Sequence, residues 1–494
     1  MFRIILTAVV IAAGAAALSA PPPFAALVVM ESQELSMSNI ELVIETASAG
    51  GGHICHVTPA HFGPDRKIVG CLMIGTILPE QEPAIRALPF VTRLERGPID
   101  PYSVQDMGIV AVFAAEAWNF IITGGGEEPP EPGIEMPLND ALGPLNGGLG
   151  KSVSNSPSPA AMTPTQNQTS EFMIGRVAVG LVMPESNGTL ENWTSARQSK
   201  VVSRVQSGAG WWVQQGGTAA NLTFVYDIRY SVSTQYEPIT ISANVPVGND
   251  GIWIGDVLSN MGYTGASHYA QALAYDNAIR SQYGTNWAFA LFVADSNNDA
   301  DGRFPDGATA YAYLHGPYMV MTYDNGKTTA NPPGWGIDRM HLVFAHELAH
   351  TFGAADEYSG APTCNCTNYG YLGVYNGNCI NCLGGSQQAT CSMVDCSQAL
   401  CSFTKGQVGW RDSDTDGILD PVDTIPSVVS ASLVYGTVPP FYGQPQIQGS
   451  GVVMDNPWPS PTRTPVTINV VRAIYSVDNP GPWQMAVPSD GAFD

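Results

Sequence analysis

Hydrophobic positions along the 494-residue chain fall into short runs of changing period, and the changes mark out its elements. Residues 1–20 carry Arg3, a mainly apolar stretch from Ile4 to Leu18 and then small residues, the pattern of a secretory signal peptide. A retained anchor is the competing reading, but the stretch is short and rich in Ala and Gly, and no later run is long and apolar enough to cross a bilayer. Residues 27–123 predict a small α+β unit. Alternation over Ile40–Ile44 and the run Ile68–Ile77 read as strands, Glu80–Leu88 as a helix, Val91–Leu94 as a strand and Met107–Trp118 as a further buried element. Residues 124–170 lose all apolar period, open on Gly124-Gly125-Gly126 and are rich in Pro, Ser and Thr, so they read as a flexible, exposed linker.

Beyond the linker, residues 171–411 read as one larger unit. The pattern predicts a strand near Phe172–Met183, a helix over Glu191–Val205, a strand at Leu222–Ser231, a helix at Tyr269–Gln282 and a buried strand at Trp287–Ala294. One or two strands follow within Ala308–Tyr323, then a helix whose apolar side is Leu342, Val343, Ala345, Leu348 and Ala349. From about residue 425 to 494, short alternations between Pro and Gly turns, Val466–Val471 and Ala473–Val477 among them, predict an all-β sandwich that is incomplete at its end. The fold class expected is therefore α+β.

Composition narrows the partners. A net charge of −23 argues against nucleic acid and against an anionic membrane surface. Nine cysteines, seven of them between Cys364 and Cys401, read as disulfides in a secreted or cell-surface protein. A Cys55–Cys71 bridge is expected. A second zinc site on Cys364-x-Cys366 and Cys379-x-x-Cys382 is the lesser reading, and an odd total leaves at least one thiol outside any internal pair.

The candidate chemistry lies in the last helix of the larger unit. His346 and His350 are four residues apart, so both imidazoles leave one face about a turn apart and can bind a single Zn²⁺. Glu347 is turned roughly 100° from His346, placed to act as a general base without being a ligand. Gly353 can take a positive φ and end the helix, and Asp356 can then swing in as third ligand, leaving a fourth position open. Glu357 is the alternative third ligand. A buried amphipathic helix with coincidentally spaced histidines is the bland reading, and the placing of Gly353 and Asp356 weighs against it.

His346-Glu347-x-x-His350-x-x-Gly353-x-x-Asp356 resembles the extended zinc motif of metzincin metalloproteases. Aspartate in place of the usual third histidine is similar to snapalysin-type members, and Asp356-Glu357-Tyr358 is similar to the IgA-peptidase-like family. The resemblance implies a metzincin-like catalytic domain with a mixed twisted sheet and an edge strand, placed within Ala310–Met319, that pairs with extended substrate. It also implies that Cys391-Ser392-Met393-Val394 is the methionine turn, with Met393 beneath the zinc. Asp395 stands where that family usually has a tyrosine, which leaves Tyr358 as the candidate to assist an oxyanion. The N-terminal position of residues 27–123 suggests a prodomain; a sharper reading has Cys55 ligate the zinc to keep the enzyme latent, as the cysteine of matrix metalloprotease prodomains does, although the sequence around it does not resemble that family's switch motif.

Two acidic loops suggest Ca²⁺. Asp412, Asp414, Asp416, the Ile418 carbonyl, Asp420 and Asp423 follow the spacing of an EF-hand loop, with Gly417 at the turn. This loop, residues 412–424, resembles dockerin and thrombospondin type 3 loops, since Pro421 discourages a following helix. Asp295, Asn297, Asp299 and Asp301 alternate in the same way and would repel each other without a cation. The C-terminal segment resembles an immunoglobulin- or fibronectin-like module. Together these readings predict a secreted zinc endopeptidase acting on a protein or peptide substrate. The alternative is a non-enzymatic, calcium-stiffened adhesion protein with a relic metal site.

Overall fold

The buried strand expected at Trp287–Ala294 lies within a nine-stranded sheet that runs through both of the units read from the sequence. The computed structural model describes residues 22–123 and 166–423 apart from 50, 63–66, 187–190, 244–248, 383–388, 414 and 416, and beyond them the strand backbone at 426–435, 445–453, 474–475 and 484–485. The signal peptide, most of the linker, the strand at Val466–Val471, Asp414 and Asp416 lie outside the described residues.

The sheet is built from β1 (Phe24–Leu35), β2 (His53–Phe62), β3 (Ile68–Ile77), β4 (Val91–Glu95), β5 (Arg176–Ser186), β6 (Thr223–Thr234), β7 (Trp287–Ala294), β8 (Ala310–Ala312) and β9 (Tyr318–Thr322). Across the sheet the order is β4-β1-β3-β2-β6-β5-β7-β9-β8. Strands β2, β6, β5, β7 and β9 pair in parallel, while β8 runs antiparallel at one edge and β3, β1 and β4 antiparallel at the other.

Helices cover both faces. They are α1 (Met37–Ser48), α2 (Glu82–Arg86), α3 (Ile109–Ile122), α4 (Ser195–Ala220), α5 (Gly251–Asn260), α6 (His268–Tyr283) and α7 (Met340–Thr351), followed by the short α8 (Ser392–Asp395) and α9 (Ser402–Gln407). Strand β7 shows why its sequence is apolar throughout. Trp287, Phe289, Leu291 and Val293 join the core with α3, α4 and α7, and Ala288, Ala290, Phe292 and Ala294 join the core with α1, α5 and α6. Among the described residues no helix is long and apolar enough to cross a membrane.

Residues 27–123 do not stand apart from 171–411. Strand β2 pairs with β6, and Phe113, Ala114 and Trp118 of α3 share a core with Trp212 of α4 and Phe344 of α7. A segment joined in this way contributes to the same core as α4 and α7. The expected Cys55–Cys71 bridge is absent, because the β2–β3 register sets Cys71 opposite Pro59. Burial pushes the Cys55 thiol up to about 12.

Other differences have local causes. Ile40–Ile44 is helical, because Ser36 and Asn39 form a capping box and Ile40, Val43 and Ala47 line one buried side. Helix α4 runs well past Val205, since Ala209, Trp212 and Val213 continue the buried face. Strand β2 carries polar residues that look unlike a central strand, but each has a partner inside: His53 with the Leu222 carbonyl, His56 with the Tyr226 hydroxyl and Thr58 with Gln206. In the cysteine-rich segment, disulfides Cys364–Cys379 and Cys366–Cys382 take the residues of the lesser zinc reading. The all-β module expected over 425–494 is represented among the described residues by two antiparallel strand pairs.

Helix α7 is fixed in the core. All its residues are buried, and Trp212 Nε1 donates to the Ala345 carbonyl at 2.9 Å. Helix α4 approaches it through Gly208, where an added Cβ would lie 2.6 Å from the His341 carbonyl oxygen and 2.7 Å from Phe344 Cδ1. Gly208→Leu is therefore expected to push α7 out of place and cost about 1–3 kcal/mol. Denaturant unfolding checks this; an unchanged midpoint would show that the two helices are not tightly apposed.

Candidate metal centre

The geometry at α7 begins with backbone carbonyls. His346 Nδ1 lies 2.8 Å from the Ser392 carbonyl and His350 Nδ1 lies 2.8 Å from the Ala354 carbonyl. A carbonyl only accepts, so each neutral ring carries its proton on Nδ1 and presents the lone pair of Nε2. Those two Nε2 atoms are 3.1 Å apart, and Asp356 Oδ1 is 3.3 Å from each. Asp356 Oδ1 is buried and accepts no hydrogen bond. Three electron-rich atoms thus form a nearly equilateral triangle among buried side chains. These three atoms would hold a cation such as zinc, whose bonds to such donors are about 2 Å long. His346, His350 and Asp356 are a group that can hold a metal ion, and they fit one.

The turn that delivers Asp356 depends on Gly353. Its φ is +86°, and an added Cβ would meet the His315 ring at 2.5 Å and Gly370 Cα at 3.0 Å. Asp356 is then held by residues that sequence reasoning missed. Thr363 Oγ1 donates to Asp356 Oδ2 at 2.6 Å and accepts the Asp356 N–H at 2.9 Å, while Asn376 Nδ2 donates to the Asp356 carbonyl at 2.7 Å. Thr363→Val keeps the shape and removes the donor, so metal affinity should fall about 10–100-fold. Competitive titration with a chelating dye measures it, and equal affinity in the two proteins would remove Thr363 from the site.

Glu347 is fully buried on the same helix. Glu357, the alternative third ligand, turns away from the histidines. Its Oε2 accepts from Asn378 Nδ2 at 2.6 Å, and its Oε1 lies 2.9 Å from Cys401 Sγ and 3.0 Å from Thr404 Oγ1. Burial, reinforced by Cys401, pushes the Glu357 carboxyl up to about 8. Met393 is fully buried in the core that contains α7, and its carbonyl accepts the Glu357 N–H at 2.9 Å. The ring of Tyr358 is 6.5 Å from that of His346. Strand β8 occupies the edge expected within Ala310–Met319, and the chain just after it bonds α7 through His315 N–H to the His350 carbonyl.

The acidic loops are arranged differently. Asp295 pairs with Arg197 at 2.8 Å, Asp299 Oδ1 accepts the N–H groups of Asp301 and Gly302, and Asp301 Oδ1 accepts that of Arg303. Lys327 Nζ reaches the carbonyls of Asn297 and Asp299. Cationic side chains from distant segments thus offset the repulsion that suggested calcium. In the second loop, Asp412 Oδ2 accepts the Gly417 N–H, and Asp420 is held by Arg411 and Ser413. Among the described residues, neither Asp295, Asp299 and Asp301 nor Asp412, Asp420 and Asp423 form a converging carboxylate trio. No protein-family model, curated protein or solved structure matches the chain.

Proposed function

We propose that the chain is a secreted zinc endopeptidase whose metal is held by His346, His350 and Asp356. The observation that carries this reading is the convergence of two Nε2 lone pairs and Asp356 Oδ1 at 3.1–3.3 Å in a buried site. Two imidazoles and a carboxylate suit zinc, with a position left for chemistry. When bound, zinc supplies Lewis-acid polarisation of a carbonyl and lowers the pKa of water.

Glu347 follows His346 on the helix and acts as general base. It accepts a proton from the attacking water as the new C–O bond forms, and returns it to the amine nitrogen as the C–N bond breaks. The carbonyls of Ser392 and Ala354 keep both histidines in one tautomer. Strand β8 has no strand paired on its outer side among the described residues, and its three residues are buried.

The test is cleavage of casein or a peptide library by the full chain, before and after removal of metal by a chelator. Activity should disappear with the metal and return with Zn²⁺. Persistent cleavage by protein shown to be metal-free would overturn the proposal.

A further inference from the structure

We infer that Glu357, Cys391 and Cys401 hold a second metal ion, a closed structural zinc behind the first site. The three residues come from the turn after α7, the start of α8 and the cap of α9. Their ligand atoms all lie within 4.8 Å of one another, and all three residues are buried. Thr404 Oγ1 completes a set of four. It lies 3.0 Å from Glu357 Oε1, 3.2 Å from Cys391 Sγ and 3.4 Å from Cys401 Sγ, and Cys401 Sγ is 2.9 Å from Glu357 Oε1. Ligand atoms gathered within 4.8 Å of one another are within reach of a single ion, given a zinc–sulfur distance of about 2.3 Å.

Two backbone N–H groups face the sulfur atoms. The Cys401 N–H points at Cys391 Sγ at 3.4 Å and the Thr404 N–H at Cys401 Sγ at 3.3 Å. The four cysteines of the preceding segment are paired with one another, so Cys391, Cys396 and Cys401 lie outside those bridges. Soft sulfur donors select zinc over calcium or magnesium. The two consecutive carboxylates are thereby divided, Asp356 to the first ion and Glu357 to the second. Such an ion would tie the turn carrying Asp356 to the Met393 segment and to α9, three pieces with little regular structure of their own.

The test is Co²⁺ substitution of the full chain followed by absorption spectroscopy. The first site has no sulfur ligand, so a thiolate-to-cobalt charge-transfer band in the near ultraviolet reports the second site alone. The band is expected in the wild type, retained in the His346→Ala/His350→Ala double variant and lost in Cys391→Ser/Cys401→Ser. Metal content should fall by one ion per chain in each double variant. If the wild type binds cobalt without the band, the inference fails while the proposed active site stands. A Cys391–Cys401 disulfide, seen as a cross-linked peptide lighter by two hydrogens under non-reducing mass spectrometry, would also overturn it.

Discussion

Glu347→Gln should abolish cleavage and leave the protein folded and loaded with metal. Glutamine has the size of glutamate and fits the same buried place on α7, so packing is preserved. It cannot accept a proton near neutral pH, so the general-base contribution is lost and turnover should fall by about 10²–10⁴-fold. Metal content separates this from collapse of the site, because the metal-binding group comprises His346, His350 and Asp356 without Glu347. Full activity in the variant would remove Glu347 from the mechanism. Loss of metal together with activity would make it a structural residue.

Loss of the first-site ion should cost stability as well as activity. The lone pairs of His346 and His350 face each other and Asp356 Oδ1 across 3.1–3.3 Å among buried side chains. Filling the site removes that repulsion. An ion present at a thousand times its dissociation constant stabilises the fold by about 4 kcal/mol. For a unit of this size that corresponds to a rise in Tm on the order of 5 °C. Adding Zn²⁺ to metal-free wild type should show the rise, and His350→Ala should show little of it. Equal shifts in the two proteins would place the stabilising ion elsewhere.

The histidine pair was legible because an α-helix converts a spacing of four into one face, and the glycine because few residues tolerate the turn at Gly353. The choice between Asp356 and Glu357 was not decided by spacing alone. It is decided by Thr363 and Asn376 on one side and by Asn378, Cys401 and Thr404 on the other. Those residues lie in irregular segments without a hydrophobic period, so nothing in the local pattern marked them. The partners of the acidic loop at Asp295 were not legible for the same kind of reason, since Arg197 and Lys327 come from remote parts of the chain. The joining of β2 to β6 is also non-local. A stretch as long as 124–170 without apolar period suggests a boundary, yet strand pairing bridges it.

The most direct measurement is an anomalous difference map recorded at the zinc edge from a crystal of the full chain. The account predicts a peak within bonding distance of His346 Nε2, His350 Nε2 and Asp356 Oδ1, with no protein ligand at the fourth position. No density at that point from zinc-supplied crystals, or a peak there bonded to Glu357 in place of Asp356, would contradict it.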